Sequence, residues 1–353
     1  MNSLLQVTDL GVDFGARSAL HDVSFDISAG ETVGLVGESG SGKSTLARAI
    51  LRLVQPSRGS VLWGGRDLSS CGGSALRELR RDLQIVFQNP LASLDPRMTV
   101  GESIGEPLGI FEFRLSTAAR RTRVSEMLKR VGLEADMMGR YPHEFSGGQC
   151  QRVGIARAMI LSPRLLVCDE PVSSLDVSIQ GQIVNLLLDL QRDEGTAMLF
   201  ISHNLAVVRH LSHRILVMYS GTLVEVAARD ALFATPGHPY TRALLAAVPA
   251  VQHAAPVPGQ GDSAQRASPH GGPAQGGPAQ RGPAQSPAAA PPVGGCGYRD
   301  RCVYALAVCV TKVPQLEEVA AGHLIACHRS RELLATGYLP PPAPAAANGA
   351  EEI

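Results

Sequence analysis

Short apolar runs bounded by glycine-bearing turns alternate along this chain with stretches in which apolar residues recur every three or four positions. Residues 4–8 and 23–27 read as strands of a small antiparallel sheet, which residues 61–63 extend. Ala29-Gly30 then turns the chain into the apolar run 33–36. Further strands are predicted at 83–87, 165–168 and 196–202, and Ser220-Gly221 joins residues 214–219 and 222–226 as a hairpin. Helical spacing covers 46–53 and 115–131, the second basic, with Val124, Leu128 and Val131 in register. The same spacing links Val153, Ala156, Met159 and Ile160, and again Ile179, Ile183, Leu187 and Leu190. This order predicts an α/β fold: a mixed-sheet core, an antiparallel part, and a helical insertion at about 89–145.

The strand at 33–36 runs into Gly37-Glu38-Ser39-Gly40-Ser41-Gly42-Lys43-Ser44-Thr45, which has the Gly-x-x-x-x-Gly-Lys-Ser spacing of a phosphate-binding loop. Such a loop needs a strand to hold it and a helix N-terminus to face the anion, and both flank it here. Successive backbone N–H groups wrap the phosphates, and the glycines allow close approach. Lys43 reaches the β- and γ-phosphates and Ser44 ligates Mg²⁺ in this reading. The strand 165–168 ends in Asp169-Glu170. A carboxylate leaving a buried strand beside a phosphate loop is placed to hold the metal, and Glu170 to act as general base on water.

Between these motifs stands Phe145-Ser146-Gly147-Gly148-Gln149, at the start of another helical stretch. Ser-Gly-Gly at a helix N-terminus is again an anion site, with free N–H groups at the positive end of the dipole. One nucleotide does not need two cradles from one chain, so the economical reading has Ser146 to Gln149 pressing on a nucleotide held by another chain.

The segment resembles the Leu-Ser-Gly-Gly-Gln signature of the ATP-binding cassette (ABC) family, with Phe145 in place of the usual leucine. The resemblance runs over roughly residues 4–250 in the family's order. It implies an ABC-type P-loop core with antiparallel and helical subdomains. It also implies that Gln88 senses Mg²⁺ and the transport partner, and that Asp176, in Ser174-Leu175-Asp176, crosses to the opposing subunit. His203 would contact the γ-phosphate and Phe14 would stack on adenine. The bound species are then ATP and Mg²⁺, the latter held through Ser44, Gln88 and Asp169.

Composition sets limits. Lys+Arg and Asp+Glu are equal at 32 each in 353 residues, so no global field draws the chain to nucleic acid or acidic lipid. No apolar stretch approaches the ~18–20 residues a bilayer helix needs, and the N-terminus carries no charged-then-apolar export signal. A cytoplasmic protein is expected, with any membrane-spanning part supplied by other subunits.

Residues 89–98, Asn-Pro-Leu-Ala-Ser-Leu-Asp-Pro-Arg-Met, resemble a stretch of peptide importers that lies where permeases dock. His238-Pro239-Tyr240-Thr241-Arg242-Ala243-Leu244-Leu245 reads by physics as a proline-started amphipathic helix. It resembles a tail motif of ATP-binding subunits serving oligopeptide, dipeptide and nickel importers. Residues 251–292 carry a Gly-Pro-Ala-Gln near-repeat with few charges and few large apolar groups, predicting a disordered linker before a C-terminal region at 293–336. A second Pro/Ala-rich segment, 337–353, predicts a disordered tail.

Cys296, Cys302, Cys309 and Cys327 lie in that C-terminal region, out of 7 cysteines in all. Their spacing lacks the C-x2-C knuckle usual for zinc and leaves iron–sulfur, zinc and free thiols open. The resemblance to the peptide-transporter tail, including Arg299-Asp300-Arg301, His323 and His328, implies a [4Fe–4S] cluster.

The resemblance thus implies a peripheral ATPase on the cytoplasmic face of the membrane, driving import of dipeptides or oligopeptides. It implies a second ABC ATPase subunit, identical or different, two permeases, and an extracytoplasmic binding protein that acts indirectly, with no nucleic acid. The same machinery importing nickel or another small solute stays open, as do a soluble ABC ATPase outside transport and a non-hydrolysing ATP sensor.

Overall fold

A computed structural model of the chain describes residues 3–247 and 294–336. The linker and tail expected at 251–292 and 337–353 lie outside the described residues.

The antiparallel part forms as expected, with longer strands. β1 (Leu5–Phe14) turns at Gly15 into β2 (Arg17–Ile27), with Leu5 opposite Ile27 and Phe14 opposite Arg17. The phosphate-loop strand β3 (Thr32–Val36) and helix α1 (Lys43–Ile50) follow, and the chain returns as β4 (Arg58–Trp63) and β5 (Arg66–Asp67). The resulting antiparallel sheet has the order β2-β1-β4-β5 among the described residues. α2 (Gly73–Leu79) leads to β6 (Leu83–Val86), and then come two helices within the expected insertion, α3 (Val100–Phe111) and α4 (Thr117–Arg130), followed by α5 (Gly147–Met159).

β7 (Leu165–Asp169), α6 (Val177–Glu194), β8 (Ala197–Ile201), α7 (Leu205–Leu211), β9 (Arg214–Tyr219), β10 (Thr222–Ala228), α8 (Arg229–Ala234) and α9 (Pro239–Ala246) complete the first described stretch. After it come α10 (Val308–Thr311), β11 (Glu317–Ala320), β12 (His323–Ile325) and α11 (Ser330–Thr336). Among the described residues the main sheet has eight strands in the order β11-β12-β10-β9-β3-β8-β7-β6, parallel from β9 to β6 and antiparallel beyond. The cysteine-bearing C-terminal region therefore extends the nucleotide-side sheet, with Glu225 and Val226 of β10 paired to Ile325 and Leu324.

Strands buried on both faces explain the unbroken apolar runs. β3, β7 and β8 are buried throughout. Their alternate residues divide between two cores. Leu165, Val167, Leu199 and Ile201 meet Leu5, Leu20, Ile27, Leu46 and Ile50 on the side of the antiparallel sheet. Leu166, Cys168, Met198 and Phe200 meet Val153, Ile183 and Leu187 on the side of the helices.

α3 is absent from the periodicity-based expectation, because Gly101, Gly105, Gly109 and Pro107 depress its helical propensity. Tertiary contacts select it. Thr99 and Glu102 close a capping box at its start. A Cβ on Gly101 would fall 2.1 Å from the Met138 side chain, and one on Gly105 would fall 3.3 Å from Val124, so the small residues bring neighbouring segments close. α4 begins and ends one or two residues inside the expected 115–131, with Ser116 as its N-cap.

Candidate functional site

The phosphate loop leaves the buried end of β3 and closes on α1. Gly42 caps α1 in the left-handed region at φ +104, and a Cβ there would stand 2.9 Å from the Ala19 carbonyl oxygen. Ser39 and Gly40 form the exposed tip. Gly221 N–H donates to the Ser41 carbonyl at 2.9 Å, so the β9–β10 turn braces the loop from outside.

Lys43 is buried, and its ammonium donates to the Gly37 and Glu38 carbonyls, both at 2.9 Å. Burial pulls its pKa down, while Glu170, Asp169 and Glu38 hold it up. A desolvated cation that binds only loop carbonyls is poised to exchange them for phosphate oxygens. Ser44 Oγ donates to Asp169 Oδ1 at 2.9 Å. Burial raises the Asp169 pKa, against the Ser44 hydrogen bond and the Arg48 charge. A hydroxyl and a desolvated carboxylate side by side are hard oxygen donors of the kind Mg²⁺ takes, so these residues fit the ion.

Glu170 follows at φ +48, a left-handed backbone that is uncommon outside glycine. Such strain costs on the order of 1–3 kcal/mol and persists where surroundings over-determine it. Here Glu170 N–H donates to Ile201 O, and Ser173 Oγ donates to the Glu170 carbonyl. The carboxylate meets Gln88 Nε2 at 2.9 Å and His203 Nδ1 at 3.4 Å. Gln88 comes from the end of β6, Asp169 and Glu170 from β7, and His203 from the end of β8. Adjacent parallel strands thus deliver Gln88, Asp169, Glu170 and His203 beside Lys43 and Ser44, at the strand ends where open α/β sheets bind ligands.

The remaining expected residues do not join this group. Ser146 caps α5, accepting from Gln149 N–H while Gln149 Oε1 accepts from Ser146 N–H. Ser146 and Gly147 are exposed, and the segment packs on the α6 side, where a Cβ on Gly148 would approach Ile179 to 2.8 Å. Asp176, the N-cap of α6, is exposed and makes no side-chain cap. Phe14 ends β1 with its ring 54% exposed, free to lie against a flat ligand.

Sequence reasoning missed several residues around the site. Tyr240, inside the motif at 238–245, accepts the Glu38 N–H at 2.8 Å through its hydroxyl oxygen. Arg301 forms a two-pronged ion pair with Glu38, and Ser173 lies 3.4 Å from Gln88. Both Tyr240 and Arg301 stand in segments whose motifs were legible; their contacts with the loop were not.

The four C-terminal cysteines come into one neighbourhood: Cys296 N–H donates to the Cys309 carbonyl at 2.7 Å, and Leu306 N–H to Cys309 Sγ. Burial pushes the thiols of Cys296 and Cys302 up, and that of Cys327 up to about 12. Among the described residues, no group of three or more His, Cys, Asp or Glu side chains is set to hold a metal ion. The expected [4Fe–4S] ligation is therefore not supported by this arrangement.

Among the described residues no helix is long and apolar enough to cross a membrane. Residues 20–173 match the family profile described as ABC transporter, and residues 224–309 match the profile described as oligopeptide/dipeptide transporter, C-terminal region. The chain is 44% identical over 337 residues to the oligopeptide transport ATP-binding protein OppF of Haemophilus influenzae, covering 92% of this chain and 96% of that one. It is 48% identical over 330 residues to a putative peptide import ATP-binding protein of Brucella ovis, covering 92% and 98%. Its fold is similar to cbiO1 of Clostridium perfringens, part of the ABC transporter complex cbiONQ, at TM-score 0.60 and 28% identity over 66% of this chain and 92% of that one. It is also similar to the ATP-binding cassette MJ0796 in a dimeric post-hydrolysis state bound to ADP and Pi. There the TM-score is 0.59 and the identity 32%, covering 64% of this chain and 98% of that one.

Proposed function

This chain belongs to the ABC transporter family, and from that premise we propose that it is the ATP-hydrolysing subunit of a peptide importer. The observation that carries the reading is a division of the expected site. One group of residues converges on the phosphate loop, while the segment 146–149, exposed at Ser146 and Gly147, and the exposed Asp176 stand apart from it. A second ATPase subunit, the same or different, would bring its own Ser-Gly-Gly edge and Asp176 equivalent over the nucleotide.

In this reading the loop amides from Gly37 to Thr45 and the Lys43 ammonium grip the β- and γ-phosphates, and Phe14 stacks on adenine. Ser44, Asp169 and Gln88 would hold Mg²⁺, which supplies charge neutralisation at the phosphates. Glu170 accepts a hydrogen bond from the attacking water and orients it in line. His203 fixes the Glu170 carboxylate and donates toward the γ-phosphate. Because the transition state is loose, positioning and charge stabilisation carry most of the rate.

Leu91, Ile110, Phe113 and Tyr141 leave exposed apolar surface on the helical insertion and the loop before it, a suitable seat for permease segments. The protein would then sit at the cytoplasmic face of the membrane, held by two permeases and served indirectly by an extracytoplasmic binding protein. Peptides are the cargo class that its relatives' names support.

The test is steady-state ATP hydrolysis by the assembled complex. Glu170→Gln should lower turnover by about 10²–10⁴, the range for a positioned general base, while ATP still binds. Ser146→Arg should abolish turnover through the neighbour's site. Unchanged hydrolysis in the Ser146→Arg complex would refute the shared site.

A further inference from the structure

The phosphate loop is held from outside the ATPase core. Glu38, its second residue, is engaged on three sides. Its carbonyl accepts Lys43 Nζ, and its N–H donates to the Tyr240 hydroxyl at 2.8 Å. Its carboxylate takes both Arg301 nitrogens, Nη1 to Oε2 at 2.8 Å and Nη2 to Oε1 at 2.9 Å. Arg301 belongs to the short turn Arg299–Arg301 of the C-terminal region, 263 residues along the chain from Glu38.

This contact is built rather than incidental. The Arg301 guanidinium lies over the rings of Tyr298 and Tyr219, 5.6 and 5.9 Å from their centroids. Those rings meet each other edge-on at 5.2 Å, and Tyr219 meets Tyr240 at 4.7 Å. A planar cation stacked on aromatic faces keeps its fork pre-organised for a carboxylate. The same ring cluster carries the Tyr240 hydroxyl that holds the Glu38 backbone.

We propose that the C-terminal region is part of the nucleotide site: Arg301, with Tyr240, is a positioning residue that fixes Glu38 and neutralises its carboxylate beside the bound triphosphate. The inference rests on the ATP-binding reading above. A carboxylate in a cradle for a polyanion opposes binding by charge, and pairing it with a guanidinium removes that opposition. The pair is half exposed, so its effect is modest and screened by salt.

The test is titration of the full-length chain with a fluorescent ATP analogue, alongside ATPase kinetics of the assembled complex. Arg301→Ala should weaken ATP binding about three- to tenfold at low salt, with a smaller loss at high salt, and raise KM while leaving kcat within about twofold. On a Glu38→Gln background the same substitution should cost less than about twofold, because no carboxylate remains to neutralise. Arg301→Lys should restore part of the affinity by returning the charge without the fork.

Tyr240→Phe keeps the ring and removes the acceptor for Glu38 N–H. It should weaken ATP binding even if Arg301→Ala folds poorly. Equal losses on the wild-type and Glu38→Gln backgrounds, or affinity unchanged in both Arg301→Ala and Tyr240→Phe, would overturn the proposal while wild type still binds ATP. A wild-type chain that binds no ATP would remove the nucleotide reading itself, and this inference with it.

Discussion

Glu225→Ala tests whether the docked C-terminal strand is integral to the fold. Glu225 lies in β10 with no exposed surface. Its Oε1 accepts Gly237 N–H at 2.7 Å and lies 2.7 Å from His323 Nε2 of β12, while Oε2 accepts His238 N–H at 2.9 Å. One carboxylate thus joins β10, β12 and the start of α9. Its removal leaves two backbone donors and an imidazole without their acceptor. At about 1–3 kcal/mol for each buried unsatisfied group, less whatever water enters the new space, the loss is about 3–5 kcal/mol. For a domain of this size that corresponds to roughly 6–20 °C in melting temperature. Glu225→Gln should recover less than half of it, because an amide cannot accept on both sides and its NH2 would face a backbone donor. Thermal denaturation with amide hydrogen exchange over β12 and the first turn of α9 measures both the size and the place of the loss. A fall below about 2 °C, or unchanged exchange in β12, would refute the reasoning.

Stability should also fall with acid through His238. Burial holds its pKa down at about 4 from an ordinary 6.5, and its Nδ1 accepts Tyr240 N–H at 3.0 Å. Between those values the unfolded chain binds a proton that the folded chain refuses, so stability is full above pH 6.5 and declines as pH drops toward 4. The total is on the order of 3 kcal/mol, and His238→Gln should flatten that limb of a urea-midpoint profile. Gly37→Ala places a Cβ 2.2 Å from the Met218 carbonyl oxygen, where β9 is pinned to β3 by parallel pairing. It should lower the urea midpoint by about 1–3 kcal/mol equivalent and weaken nucleotide binding together. Phe14→Ala should weaken ATP binding by about 1–3 kcal/mol, the value of one base–aromatic stack, without moving the melting temperature, since the ring is exposed. Nucleotide titration and calorimetry separate those two effects.

Much of this protein was legible without coordinates, because its information is local. A phosphate loop is made by consecutive residues whose glycines and terminal Lys43-Ser44 must occur in one order, so spacing alone identifies it. Fully buried strands declare themselves as unbroken apolar runs, as at β3, β7 and β8. The hairpin around Ser220-Gly221 follows from turn chemistry in the same way.

What the tertiary structure alone decided is which distant segments meet. α3 carries three glycines and a proline, and the close approach of Met138 and Val124 that Gly101 and Gly105 allow is seen only in the folded structure. The gathering of Gln88, Glu170 and His203 depends on strand order in the sheet, which periodicity does not encode. The resemblance of the tail implied a cluster, yet among the described residues no group of three or more His, Cys, Asp or Glu side chains is set to hold a metal ion. Nor could any pattern along the chain place Arg301 on Glu38 or Glu225 on His323. Such contacts arise when β12 adds to the open edge of β10, and their energy depends on geometry and desolvation that exist only once the sheet is assembled.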